Sequence, residues 1–256
     1  MASGLSLPRP SRPELLVALV AGDSGLSRRG LTALTRLRAR QLEIQQGSRG
    51  AFVKLVPNAA PPLLSLGQIG RDSPLSCDYH SLVVLELARE FPAHGAALRG
   101  LIDARRHGLD LPALAFALWQ DEGDLHFESA CRPFGCDPHL LAATLCLALK
   151  PLYELVARSF SQHFELPQGG TECPVCGGTP YARCDEMLRC AVCEQTWQGE
   201  LPGPWREVEG PQAKGARRLY QSQTGQRLLE LEESLFAESF NTAMFVELLL
   251  ALERDG

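Results

Sequence analysis

Apolar residues recur at helical spacing through most of the first 166 positions. Leu31, Leu34, Leu37 and Leu42 place a helix from a cap at Asp23 or Ser24 to about Gln46, with Gly47 as its stop. Val56 to Pro74 holds Pro57, Pro61, Pro62 and Pro74 with Gly67 and Gly70, so it is expected to be an irregular connector. Leu82, Leu85, Leu87 and Ala88 predict the next helix, Ala93 to His107 another, and Pro112 to Gln120 a third. The strongest pattern starts at Asp137-Pro138, where a capping carboxylate precedes a proline suited to the first turn. Leu140, Leu141, Leu145, Leu147, Ala148, Leu152, Leu155, Val156 and Phe160 follow as a broad apolar stripe. Pro151 lacks the internal donor, which predicts a bend or a two-helix joint near Lys150.

The pattern changes after Leu166. Thr179 to Arg183 and Met187 to Arg189 are strand-capable pieces among Gly and Pro. Helical spacing returns at Leu228 to Leu235 and at Phe240 to Leu252, the latter with a cap at Ser239 or Asn241. The expected fold class is mainly α with a small β part. It divides into an α-helical domain (1–166), a metal-binding module (167–215) and a C-terminal helical segment (216–256).

Composition bounds the function classes. The 256 residues are 45% hydrophobic with 21% charged, as in a globular protein with a sizeable core. The longest nearly pure apolar run, Leu140 to Leu149, is about half of the ~20 residues a spanning helix needs, so no membrane span is expected. Arg9 and Arg12 before Leu15 to Ala21 imitate a secretory signal, but Pro13 and Glu14 interrupt it and no clear cleavage site follows. Ser27-Arg28-Arg29-Gly30-Leu31 imitates a twin-arginine export motif, yet Arg36, Arg38 and Arg40 fall where its apolar core belongs. A cytoplasmic protein is expected.

The net charge of −5 divides into +6 over residues 1–60 and −11 over the remainder. Arg28 to Arg40 is the one basic cluster that could meet nucleic acid; its plainer reading is a solvated face docked on acidic parts of the same chain. Gly22-Asp23-Ser24-Gly25 imitates a protease nucleophile sequence without the β-barrel context. The six histidines are scattered singly, and neither a phosphate loop nor an H-E-x-x-H helix is present. The chain therefore reads as a non-enzyme.

Cysteine position carries the chemistry. Cys77, Cys131, Cys136 and Cys146 are scattered through helical sequence and read as small core residues. Cys173, Cys176, Cys184, Cys190 and Cys193 fall within 21 residues. Cys173-Pro174-Val175-Cys176-Gly177 and Cys190-Ala191-Val192-Cys193 are C-x-x-C knuckles 13 residues apart, a spacing that lets a hairpin bring four sulfurs to one ion. Only the first knuckle ends in glycine, so the second, followed by Glu194, must turn differently or carry strain. A redox dithiol is the alternative, but Gly177-Gly178-Thr179-Pro180 forbids the helix such a motif opens. The candidate metal ligands are thus Cys173, Cys176, Cys190 and Cys193, with Cys184 as a spare thiol and His163 as a remote substitute. One Zn or Fe ion is expected, and all-sulfur ligation does not choose between them.

From Asp137 to Trp197 the chain resembles the FdhE family of formate dehydrogenase accessory proteins. The shared run is Ala148-Leu149-Lys150-Pro151-Leu152, then Cys173-Pro174-Val175-Cys176-Gly177-Gly178-Thr179-Pro180, then Leu188-Arg189-Cys190-Ala191-Val192-Cys193 and Trp197. The resemblance implies a cytoplasmic protein with rubredoxin-like metal knuckles. It also implies a chaperone-like role in enzyme maturation, binding the catalytic subunit of formate dehydrogenase or another molybdoenzyme. Fuller members carry further knuckles after the tryptophan, whereas this chain has no cysteine beyond Cys193, which implies one metal site. The rival expectations are a zinc-ribbon nucleic-acid adaptor using Arg28 to Arg40 and a thiol or iron redox protein.

Overall fold

A computed structural model describes residues 27–47, 58–73, 75–119, 123–201, 203–208, 216–223, 227–233 and 243–254. The expected caps at Asp23 or Ser24 and at Ser239 or Asn241, and the apolar stretch Leu15 to Ala21, lie outside these residues. The protein is mainly helical, with a six-stranded mixed sheet and a cluster of four cysteines.

Among the described residues, seven α-helices precede the sheet: α1 (Arg28–Gly47), α2 (Leu66–Asp72), α3 (Ser76–Glu90), α4 (Gly95–Arg106), α5 (Leu111–Ala117), α6 (Gly123–Cys131) and α7 (Pro138–His163). Two of them, α2 and α6, were not foreseen. In the supposed connector, Ser65 Oγ caps the Gln68 amide, and the two glycines serve close packing. A Cβ on Gly67 would stand 3.1 Å from Phe116 Cδ2, and one on Gly70 3.0 Å from Ala115 Cβ.

Helix α7 forms the centre of the core. Asp137 Oδ1 accepts from the amides of His139 at 2.8 Å and Leu140 at 3.0 Å, as the capping pattern predicts. Its stretch Pro138–Gln162 is long and apolar enough to cross a membrane, but of its 18-residue apolar window, with a mean hydropathy of 1.6, 94% is buried within the protein. Of the bend or two-helix joint expected near Lys150, the joint is absent: α7 runs unbroken through Pro151. Proline leaves the carbonyl four residues back without its helical donor. That carbonyl, Leu147 O, accepts instead from Gln41 Nε2 of α1 at 2.8 Å, and Pro151 O accepts from Gln45 Nε2 at 2.7 Å.

This pairing rotates α1 away from the expected stripe. Ala33, Leu37, Gln41 and Gln45 face inward, while Leu42 is 38% exposed. Ser27 is the N-cap, its Oγ accepting from Arg29 N at 3.1 Å and Gly30 N at 3.3 Å. The carboxylate of Glu253, on the last helix α8 (Ala243–Arg254), also accepts from the amides of Ser27 at 3.0 Å and Gly30 at 2.9 Å. An anion at a helix N-terminus satisfies free amides and complements the helix dipole.

The strands are β1 (Pro180–Cys184), β2 (Met187–Cys190), β3 (Thr196–Gln198), β4 (Trp205–Glu207), β5 (Ala216–Ser222) and β6 (Arg227–Leu231). Their order is β3-β2-β1-β6-β5-β4, with only β1 and β6 parallel. The expected helix at Leu228 to Leu235 is therefore corrected over its described part. Within the segment 216–256 expected to be helical, β5 and β6 are strands of the sheet, while Ala243–Arg254 is helical. Leu228 and Leu229 are both buried, and Glu230 pairs with Arg183 of β1 at 2.7 Å. Burial of successive residues on a central strand overrides an apolar spacing that also fits a helix.

Candidate metal centre

The site is assembled by a hairpin. β1 and β2 pair antiparallel from Cys184↔Met187 back to Pro180↔Cys190, with Asp185 at φ +51° in the connecting turn. One C-x-x-C knuckle precedes β1 and the other follows β2, so the hairpin brings them face to face. The Ala191 amide donating to Thr179 O at 2.9 Å joins the two ends directly.

Each knuckle closes on itself. Gly177 N donates to Cys173 O at 2.8 Å, with Gly177 at φ +73°. Glu194 N donates to Cys190 O at 3.2 Å, with Glu194 at φ +59°. The second turn thus takes the same left-handed form without glycine, and Glu194 bears the strain expected of it. Cys190 Sγ accepts from Val192 N at 3.3 Å and Cys193 N at 3.5 Å, which aims backbone dipoles at a sulfur that would carry charge. Gly178 is required by close approach: a Cβ there would lie 2.8 Å from Cys190 Sγ and 3.3 Å from Cys176 Sγ.

The result is a buried group of four sulfurs, those of Cys173, Cys176, Cys190 and Cys193, all within 4.8 Å of one another. The Cys173–Cys193 separation is 3.7 Å, and Cys176 lies 3.4 Å from both Cys190 and Cys193. Four thiolates about 2.3 Å from a central ion in a tetrahedron stand about 3.8 Å apart. The cluster therefore needs only a small readjustment to hold one ion. At such range the thiols compete for protons. The hydrogen bond with Cys173 pushes Cys176 well above the usual thiol range, burial does the same to Cys193, and the bond with Cys176 draws Cys173 below it. A bound cation would displace those protons and take all four sulfurs as thiolates. Four protein thiolates fill a tetrahedral shell, the pattern of a structural site.

Two elements outside the hairpin grip the knuckles. Leu63 N and Leu64 N, just before α2, donate to Pro174 O at 3.0 Å and Val175 O at 2.8 Å in the first. The second is gripped from α7. Lys150, one of three lysines in the chain, has a side chain only 3% exposed; its Nζ lies 2.6 Å from Glu194 Oε1 and donates to Val192 O at 3.3 Å. Tyr181 donates to the other Glu194 oxygen at 2.9 Å. Glu154, 3.5 Å from Lys150 Nζ, also pairs with Arg38 of α1 at 3.0 Å. Burial alone would lower the Lys150 pKa, but Glu194 and Glu154 outweigh it and hold the ammonium above the usual lysine value. Sequence reasoning assigned Lys150 no role. Its one signal was a cation at the end of the apolar run Leu140 to Leu149.

The remaining candidates fall elsewhere. Cys184 ends β1, outside the four-sulfur cluster. In the basic cluster, Arg36 pairs with Glu90, Arg38 with Glu154, and Arg40 with Glu43 at 2.7 Å and Glu86 at 3.6 Å. No protein-family model matches the chain, and no curated protein or solved structure matches it.

Proposed function

We propose that this chain is a maturation factor that binds the catalytic subunit of formate dehydrogenase or a related molybdoenzyme in the cytoplasm. A rubredoxin-like pair of knuckles holds one Zn or Fe ion, and the ion's role is structural. The observation that carries this reading is the buried four-sulfur cluster fastened to the helical body through Lys150 and Glu194. An ion there cross-links the two knuckles, and Lys150 fastens the second of them to α7, which suits a rigid recognition body. The order of motifs from Asp137 to Trp197, in its resemblance to the FdhE family, supplies the partner class.

The nucleic-acid rival has less support. It needs an uncompensated positive face, and Arg36, Arg38 and Arg40 are each paired with a carboxylate of the same chain. The thiol-redox rival needs accessible sulfurs, and all four knuckle cysteines are buried.

The test is affinity co-purification of the tagged chain from its own host. Recovery of a molybdoenzyme catalytic subunit, lost when Cys173 or Cys190 becomes Ser, is the expected result. Stable recovery of neither a formate dehydrogenase nor any related molybdoenzyme contradicts the reading.

A further inference from the structure

Two of the scattered cysteines are not isolated. Helix α6 ends at Cys131 and continues as a 3-10 turn over Arg132–Phe134, which Gly135 terminates in the left-handed conformation, φ +62°. The residue after such a glycine folds back over the last helical turn. Here that residue is Cys136, and its Sγ lies 3.8 Å from Cys131 O. That contact, thiol to backbone carbonyl, sets both side chains on the same turn; burial, then the neighbouring Cys136, raises the Cys131 pKa. Cys131 is buried and Cys136 half-buried, beside the exposed Arg132, Pro133 and Gly135. All nine cysteines are thiols in this state.

We propose that Cys131 and Cys136 form a redox-active dithiol site, separate from the metal knuckles, that closes to a disulfide by exchange with a small-molecule disulfide of the glutathione class. Cys136 is the attacking residue because it is the one solvent reaches. Its thiol gives its proton to solvent, and the thiolate attacks one sulfur of the disulfide. That S–S bond breaks, releasing one small thiolate and leaving a mixed disulfide on Cys136. Cys131 then attacks Cys136 Sγ, breaking the mixed bond, and its proton leaves on the second small thiol released. The two cysteines lose two electrons and the reagent gains them.

Burial of Cys131 keeps it from reacting first, and the fold-back at Gly135 keeps it within reach once Cys136 has reacted. Closure staples the end of α6 to the residue next to Asp137, the cap of α7. The site stands apart from the proposed maturation role and does not depend on it.

The test uses the metal-loaded full chain, incubated with oxidised glutathione in excess over reduced, then acid-quenched, alkylated and mapped by peptide mass. The expected wild-type product is a fragment spanning 131–136 lighter by two hydrogens, with both alkylatable thiols lost. Cys136→Ser, at a half-buried position, is expected to leave Cys131 fully alkylatable. Cys131→Ala is expected to stop at a glutathione adduct on Cys136. A wild-type chain that accumulates that adduct with Cys131 still alkylatable overturns the proposal, as does one in which both cysteines stay reduced.

Discussion

Gln41 Nε2 donates to Leu147 O at 2.8 Å, the carbonyl that Pro151 deprives of its helical partner. A side chain on α1 thus repairs a break in α7, which explains why a proline in the middle of a 26-residue helix neither splits it nor leaves a buried acceptor bare.

Replacing Gln41 with Leu is expected to cost about 1–3 kcal/mol, the penalty of stranding a buried carbonyl. In a Pro151→Ala background the new amide serves Leu147 O, and the same replacement is expected to cost much less. Chemical denaturation of the four combinations measures the coupling. Strict additivity contradicts the pairing.

Lys150→Met is expected to destabilise the fold by about 3–5 kcal/mol, because Glu194 and Glu154 lose the buried cation that compensates them. It should also speed loss of the ion to a chelator, since the second knuckle loses its anchor to α7. Lys150→Met combined with Glu194→Gln is expected to recover part of the stability. A chelator-loss rate unchanged in the single variant argues against the anchor.

His80 makes stability depend on pH. Its Nε2 lies 3.1 Å from Thr144 Oγ1 in the core, and burial, then the charge of Arg105, lower its pKa from 6.5 to about 4. The unfolded chain therefore takes up the proton first. Stability that is full above pH 6.5 is lost as pH falls toward 4, by about 3 kcal/mol. Denaturation midpoints across that window, compared between wild type and His80→Gln, isolate this contribution from that of the thiolates. Equal slopes in the two proteins contradict it.

Gly178→Ala is expected to weaken metal retention although no ligand changes, because its Cβ would meet Cys190 Sγ at 2.8 Å. Chelator competition reads the effect, and wild-type retention contradicts the close approach.

The sequence disclosed what local chemistry dictates. Asp137-Pro138 fixed the start of α7, the C-x-x-C spacing brought out the four sulfurs, and Glu194 announced its own strained turn. What it hid depends on partners distant along the chain. Gln41 and Gln45 look like surface residues until Pro151 is packed beside them. Gly67 and Gly70 look like helix breakers until α5 lies against them. Leu228 to Leu231 fits a helix until β1 and β5 flank it, and Lys150 acquires a purpose only when the second knuckle arrives.

The account turns on one ion held by Cys173, Cys176, Cys190 and Cys193. Elemental analysis of protein purified without added metal tests it most directly. The prediction is about one zinc or iron per chain, retained in Cys184→Ser and lost in Cys173→Ser and in Cys190→Ser. Undiminished metal in both of the latter variants would contradict the assignment.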